Sequence, residues 1–324
     1  MAPPPTPEHA GPTGADLVEQ ARRGDRGALA RALSLVERGG TDAYDVGRAA
    51  FAHAGSAYTV GITGAPGAGK STLTSALVAH VRRSGERLAV LAVDPSSPYT
   101  GGAILGDRVR MGDHALDDGV FIRSMATRGH LGGLALATPE AVRLLDAAGF
   151  PWVVVETVGV GQVEVDVAGA ADTTVVVVNP GWGDAVQANK AGLMEIADVF
   201  VVNKADRAGA AQTVHDLESM LDLTGSGGWR PSVVQAVATE LTGADQLWDA
   251  VLEHRRHLLD TGELEQRRQA RRRAELALIV EDRLRAHVES LLDADARAEL
   301  DREVAAGHVD PWTAADTVLA PLTP

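Results

Sequence analysis

The stretch Gly64-Ala65-Pro66-Gly67-Ala68-Gly69-Lys70-Ser71 follows the pattern G-x-x-x-x-G-K-[ST]. Its glycines let successive backbone N–H groups turn inward on a chain of phosphates. The Lys70 ammonium suits the β- and γ-phosphates, and the Ser71 hydroxyl, with Thr72 beside it, suits the Mg²⁺ that accompanies them. Far downstream, Asn203-Lys204-Ala205-Asp206 reads N-K-x-D. At that spacing the Asp206 carboxylate can accept from guanine N1–H and from the exocyclic amine together. One stretch holds a triphosphate and the other selects its base, so the pair points to GTP rather than ATP.

Between these motifs lie acids suited to a metal and to water. Asp94 ends the apolar run Leu91-Ala92-Val93 and can hold Mg²⁺ directly or through water, with turn chemistry as the plain alternative. In Gly101-Gly102-Ala103-Ile104-Leu105-Gly106-Asp107-Arg108-Val109-Arg110-Met111, paired glycines precede an acid and two arginines. That composition fits a segment ordering around γ-phosphate and metal, with Asp107 the second Mg²⁺ candidate. Glu156 closes Val153-Val154-Val155 just before Gly159 and Gly161. It can order a metal-bound water or orient the attacking one, and phosphoryl transfer is mostly positioning, so one well-placed carboxylate suffices. A purely structural acid at a strand end is the alternative. Gly181 and Gly183 around Trp182 read as a hinge. Lys190 beyond them either reaches nucleotide or partner, or is solvated on a helix.

The elements that must position these residues follow from periodicity. Ala57–Thr63 is a β-branched apolar run ahead of the glycines, and Ser71–Val81 carries apolar residues at helical spacing. The phosphate motif therefore sits between a strand and a helix N-terminus, whose partial positive charge favours an anion. Further strand-like runs are Leu88–Val93, Val120–Arg123, Trp152–Glu156, Thr173–Val178, Val199–Val202 and Ser232–Val237. Their near-continuous Val/Ile content implies strands covered on both faces, and their alternation with helices implies an α/β, doubly wound, mostly parallel sheet. Ala15–Gly39 and Asp42–Ala54 read as two helices ahead of the first strand, and Asp249–Leu292 as long, charged helix with a boundary near Thr261-Gly262. Two short helical pieces follow. The expected organisation is a disordered tail (1–14), an N-terminal helical extension (15–56), a nucleotide domain (57–260) and a C-terminal helical arm (261–324). Arg267, Arg268, Arg271, Arg272, Arg273, Arg283 and Arg285 in the arm read as a solvated face laced with glutamates, or as part of an oligomerisation surface.

Composition narrows the function. The 324 residues carry a formal net charge of −14, which argues against a nucleic-acid surface. Cysteine is absent, which removes disulfide and thiolate chemistry and fits a cytoplasmic protein. No apolar run is long enough to span a bilayer. The Pro-rich start lacks the basic and apolar regions of a secretory signal.

Several longer strings sharpen the reading. Besides the two nucleotide motifs they are Asp94-Pro95-Ser96-Ser97-Pro98, Gly101–Arg108, Phe121–Gly129 with its Arg-Ser-Met core, Glu156–Gln162, Pro180–Asp184 and Lys190–Asp198. In this order, across about Thr41 to Leu259, the chain resembles the MeaB/ArgK-type family of phosphate-loop GTPases. The resemblance implies a GTPase core with N-terminal helices and a C-terminal dimerisation arm. It also implies a GTP-driven chaperone that gates cofactor loading, and protects or reactivates an adenosylcobalamin-dependent acyl-CoA mutase such as methylmalonyl-CoA mutase. By position, Lys70 and Ser71 take phosphate and Mg²⁺. Asp94, Asp107 and Glu156 fall in the metal and hydrolysis region, Lys190 in a switch loop, and Asn203, Lys204 and Asp206 at guanine. Ala236-Val237-Ala238 stands where a Ser-Ala form is commoner, but a backbone N–H to guanine O6 needs no side chain. Trp182 stands where a smaller residue is expected. Competing readings are a kinase or ATPase linked to lysine/arginine/ornithine transport, which the N-K-x-D turn disfavours, and a metallochaperone GTPase. The latter is disfavoured by the missing cysteines and by His53, His80, His114 and His130, which show no ligand spacing.

Overall fold

The computed structural model describes residues 11–95, 114, 116–127, 133–157, 169–181, 192, 194–223 and 228–322. The strands are β1 (Tyr58–Gly64), β2 (Leu88–Pro95), β3 (Val120–Thr127), β4 (Trp152–Thr157), β5 (Thr173–Val178), β6 (Val199–Asn203) and β7 (Ser232–Ala236). They form one parallel sheet in the order β3-β2-β4-β1-β5-β6-β7. Every residue of β1, β4, β5 and β6 is buried, as the uninterrupted apolar runs require. Alternate side chains feed opposite layers. Leu88, Val90 and Val154 face one core, and Ala89, Leu91, Val93, Val153 and Val155 face the other.

The helices are α1 (Gly14–Arg22), α2 (Arg26–Arg38), α3 (Thr41–Phe51), α4 (Lys70–Arg83), α5 (Gly133–Ala147), α6 (Ala210–Leu223), α7 (Ala244–Thr261), α8 (Glu263–Glu289), α9 (Ala294–Ala305) and α10 (Pro311–Leu319). α1, α2, α3 and α5 pack on one face of β2, β3 and β4. α4 and α7 cover the opposite face, and α6 packs on β5 and β6. The expected single helix over 15–39 is two helices. Gly24 adopts φ +94°, and Asp25 then caps α2 by accepting from the Ala28 N–H. α2 shields the edge strand β3. Arg26 donates to the Val120 carbonyl at 2.6 Å, and Arg123 reaches Ser34 Oγ and Glu37 Oε2, each at 3.0 Å. Among the described residues no helix is long and apolar enough to cross a membrane.

The chain divides into two compact units, Met1–Arg271 and Arg272–Pro324. The second holds the rest of α8, with α9 and α10, which are capped by Asp293 and Asp310. No residue of α8 or α9 is fully buried.

In the first unit the N-terminal edge of the sheet carries a polar network that draws in three of the arginines read from sequence as a solvated face or part of an oligomerisation surface. Asp172, just before β5, accepts from the Thr59 N–H at 3.0 Å, and Asp198, just before β6, accepts from the Thr174 N–H at 2.8 Å. Each acid thus stitches its strand to a neighbour. Arg268 (2.8 Å) and Arg271 both pair with Asp172, and Arg267 pairs with Asp198 at 3.1 Å. Three arginines of the root of α8 therefore face buried acids rather than helix glutamates. Burial works against the charge on Asp172, but Arg268 and Arg271 outweigh it and hold the carboxyl below its usual value. At Asp198 burial wins over Arg267, and the carboxyl is pushed up. Tyr58 Oη, Thr173 Oγ1 and His254 Nδ1 form a chain of 2.7 and 2.8 Å contacts, and His254 Nε2 faces Asp198 at 3.2 Å. Burial pushes the His254 imidazole down to about 3, so it is neutral near pH 7.

Candidate nucleotide-binding site

The C-terminal ends of the strands gather the motif residues. β1 lies between β4 and β5, where the strand order changes direction, and ligands of open α/β sheets bind at that point. Ile62 pairs with Glu156, Gly64 with Val177, Val178 with Val202, and Asn203 with Ala236. The phosphate loop, Glu156, the segment after β5, the N-K-x-D turn and Ala236-Val237-Ala238 thus form one row along a single edge.

The loop from Gly64 to Gly69 leads directly into α4 at Lys70. Gly64 has φ +133°, and a Cβ there would lie 2.1 Å from the Val177 carbonyl oxygen, so backbone meets backbone. Gly69 has φ +91°, and a Cβ would lie 2.3 Å from Asn203 Nδ2. Lys70 is buried, and its Nζ donates to the carbonyls of Gly64 (2.6 Å) and Ala65 (3.3 Å). Ser71 Oγ donates to Glu156 Oε1 at 2.5 Å. Ser71, in the first turn of α4, and Glu156, in β4, offer hard oxygen donors, the donor type that Mg²⁺ takes.

The base-selecting turn is clamped to the phosphate loop. Asn203 Nδ2 donates to the Ala68 carbonyl at 2.8 Å, and its Oδ1 accepts from the Ala238 N–H at 3.2 Å. Lys204 adopts φ +58°, and its Nζ donates to the Gly67 carbonyl at 2.6 Å. The Ala205 N–H donates to the Ala236 carbonyl, and the Val237 N–H to the Thr242 carbonyl. Asp206 is left exposed beside this clasp. One side chain, Asn203, therefore joins the three loops that a guanine nucleotide would touch.

The family described as Methylmalonyl Co-A mutase-associated GTPase MeaB matches residues 29–293. The chain belongs to the MeaB family. It is a phosphate-loop GTPase by fold and by family. A relative from Pyrococcus abyssi (strain GE5 / Orsay) is 50% identical over 308 residues, covering 94% of this chain and 95% of that one. The GTPase ArgK of Escherichia coli (strain K12) is 40% identical over 264 residues, covering 79% and 80%. The mouse methylmalonic aciduria type A homolog, mitochondrial, is 33% identical over 317 residues, covering 92% and 76%. The crystal structure of a LAO/AO transport system kinase superposes with a TM-score of 0.71 at 29% identity, covering 97% of this chain and 99% of that one.

Of the residues singled out by sequence in this MeaB-family chain, those of the phosphate loop, Glu156, the N-K-x-D turn and Ala236-Val237-Ala238 are brought together. Asp94 lies in β2, whose C-terminal end shares the same edge. Asp107, Trp182 and Lys190 lie outside the described residues, as do 101–111, 158–162 and Ser96–Pro98. Sequence spacing gave no hint that Asn203 also holds Ala68, since the two are 135 positions apart. It equally missed Asn179, whose Nδ2 stands 3.5 Å from the Gly67 carbonyl. Among the described residues no three His, Cys, Asp or Glu converge on a metal cage. Mg²⁺ bound with nucleotide does not need one, because phosphates and waters complete its shell.

Proposed function

We propose that this chain binds GTP with Mg²⁺ and hydrolyses it, and that the resulting change of shape serves an acyl-CoA mutase. That partner is an adenosylcobalamin-dependent enzyme such as methylmalonyl-CoA mutase, whose cofactor loading the GTPase gates and which it protects or reactivates. The Asn203 clasp between the phosphate loop and the base loop carries the nucleotide half of this reading. Lys70, now capping two loop carbonyls, turns to the β- and γ-phosphates. The Ser71 hydroxyl, now on Glu156, would hold Mg²⁺, and the family resemblance assigns Asp94 and Asp107 to the metal region. Glu156, released, would order a water of the Mg²⁺ shell or orient the attacking one. The metal supplies charge neutralisation on the phosphates. Asp206 reads the guanine, Ala236-Val237-Ala238 offers backbone N–H groups to its O6, and Lys190 belongs to the segment that reports nucleotide state to the partner. The family description and the name of the mouse relative support the partner half.

The working form in this reading is a cytoplasmic homodimer joined through the C-terminal helices, without nucleic acid or membrane contact. Leu276, Val280 and Leu284, four residues apart on α8, are all exposed and suit such a contact. The test is hydrolysis of GTP by the purified chain, with ATP as control, with and without the acyl-CoA mutase of the same organism. GTP-selective turnover that rises with the mutase is expected. Turnover indifferent to the mutase removes the partner half, and preference for ATP overturns the guanine assignment.

A further inference from the structure

We propose that Thr213 is a positioning residue for the guanine nucleotide: its hydroxyl holds the backbone after β5 against the helix after the N-K-x-D turn. Thr213 lies on α6 and is 2% exposed. A helical threonine commonly bonds only to a carbonyl one turn back. Here Oγ1 donates to the Gly209 carbonyl at 3.1 Å and also accepts from the Gly181 N–H at 3.0 Å. Donor and acceptor capacity of one hydroxyl are both used across a gap of 32 residues.

The position explains the need. The β5–β6 ladder ends at the Val178–Val202 pair. Beyond it both chains still reach the same atom of the phosphate loop. Asn179 Nδ2 and Lys204 Nζ stand 3.5 and 2.6 Å from the Gly67 carbonyl oxygen. The Thr213 hydroxyl takes over where the ladder stops. The two backbones lie within ordinary van der Waals reach of each other at that point. Gly181 has φ +82° and Gly209 has φ +89°, and a Cβ on Gly209 would sit 3.8 Å from Gly181 N. Without the hydroxyl, the Gly181 N–H loses its acceptor and Asn179 loses its fixed distance from Lys204. The nucleotide would then have to order both strand ends as it binds, which weakens affinity.

The inference rests on the guanine-nucleotide reading above, and the test separates the two. Fluorescent GTP and GDP are titrated into the full chain carrying Thr213→Val, an isostere without the hydroxyl, and Thr213→Ser, which keeps it. Thr213→Val should raise both Kd values by about threefold to tenfold, equally for GTP and GDP because the two nucleotides share the guanine that the N-K-x-D turn takes. Thr213→Ser should restore wild-type affinity, and the Gly181 amide should exchange faster with solvent in Thr213→Val alone. If Thr213→Val fails to fold, Thr213→Ala against Thr213→Ser gives the same comparison. A folded Thr213→Val with wild-type Kd values overturns the strut, even if its melting temperature is lower, because a purely structural role moves only the latter. Wild-type chain that prefers ATP to GTP would instead overturn the guanine reading.

Discussion

Gly69 shows how tightly single atoms set this site. Its left-handed backbone and the missing Cβ leave just enough room for Asn203 Nδ2 to reach the Ala68 carbonyl. Gly69→Ala would both strain φ and push Asn203 aside, loosening phosphate loop and base loop together. The expected result is a loss of GTP affinity of about tenfold to a hundredfold, with the far-ultraviolet circular dichroism of the wild type. Near-wild-type affinity in an equilibrium titration would mean that the clasp does not matter to binding. At this scale the sequence was partly legible. Residue types and spacing pick out Lys70, Ser71, Glu156 and the N-K-x-D turn, because short-range chemistry is written in short-range spacing. The second bond of Asn203 and the role of Asn179 are not, since each depends on which strands become neighbours.

Elements were legible where one pattern dominated. All seven strands fall within a few residues of the apolar runs, because burial on both faces leaves no competing period. The split between α1 and α2 was missed, since Gly24-Asp25 interrupts an otherwise continuous apolar period with a cap. Arg267, Arg268 and Arg271 of α8 were misassigned for a different reason: their partners, Asp172 and Asp198, lie far away in sequence. The signal available was an isolated acid directly before each of two Val-rich strands. The two acids should respond oppositely to change. Asp172 is held below its usual value, so its contribution to stability is complete above the ordinary carboxylate range and is lost as pH falls through the lowered value. Asp172→Asn should therefore cost about 3 kcal/mol at pH 7, with the gap to wild type narrowing as pH falls below the ordinary carboxylate range. Asp198 is pushed up, so its charged form opposes folding as pH rises through the raised value. Arg267 is partly exposed and can rehydrate, so Asp198→Asn should cost about 1 kcal/mol or less at pH 7. Urea unfolding at pH 7 and below the ordinary carboxylate range decides the matter, and equal costs for the two substitutions at pH 7 would refute the assignment.

At the scale of the whole molecule, in the proposed reading the division after Arg271 separates two jobs. The ion pairs of Arg267, Arg268 and Arg271 belong to the first unit. They are complete before the exposed stripe of Leu276, Val280 and Leu284 begins. The nucleotide loops and the strands that hold them also lie wholly within the first unit. A chain ending at Arg271 should therefore keep its fold and its GTP affinity. It should lose self-association, because apolar residues at four-residue spacing on a helix without buried positions gain from a partner rather than from their own core. Sedimentation velocity of the full and shortened chains, with GTP titrations on both, measures the two properties separately. A shortened chain that still dimerises would move the contact into the first unit. One that no longer binds GTP would make the second unit part of the nucleotide machinery. If instead the shortened chain binds GTP as a monomer and its hydrolysis no longer responds to the mutase, dimerisation and partner response belong to the same helices.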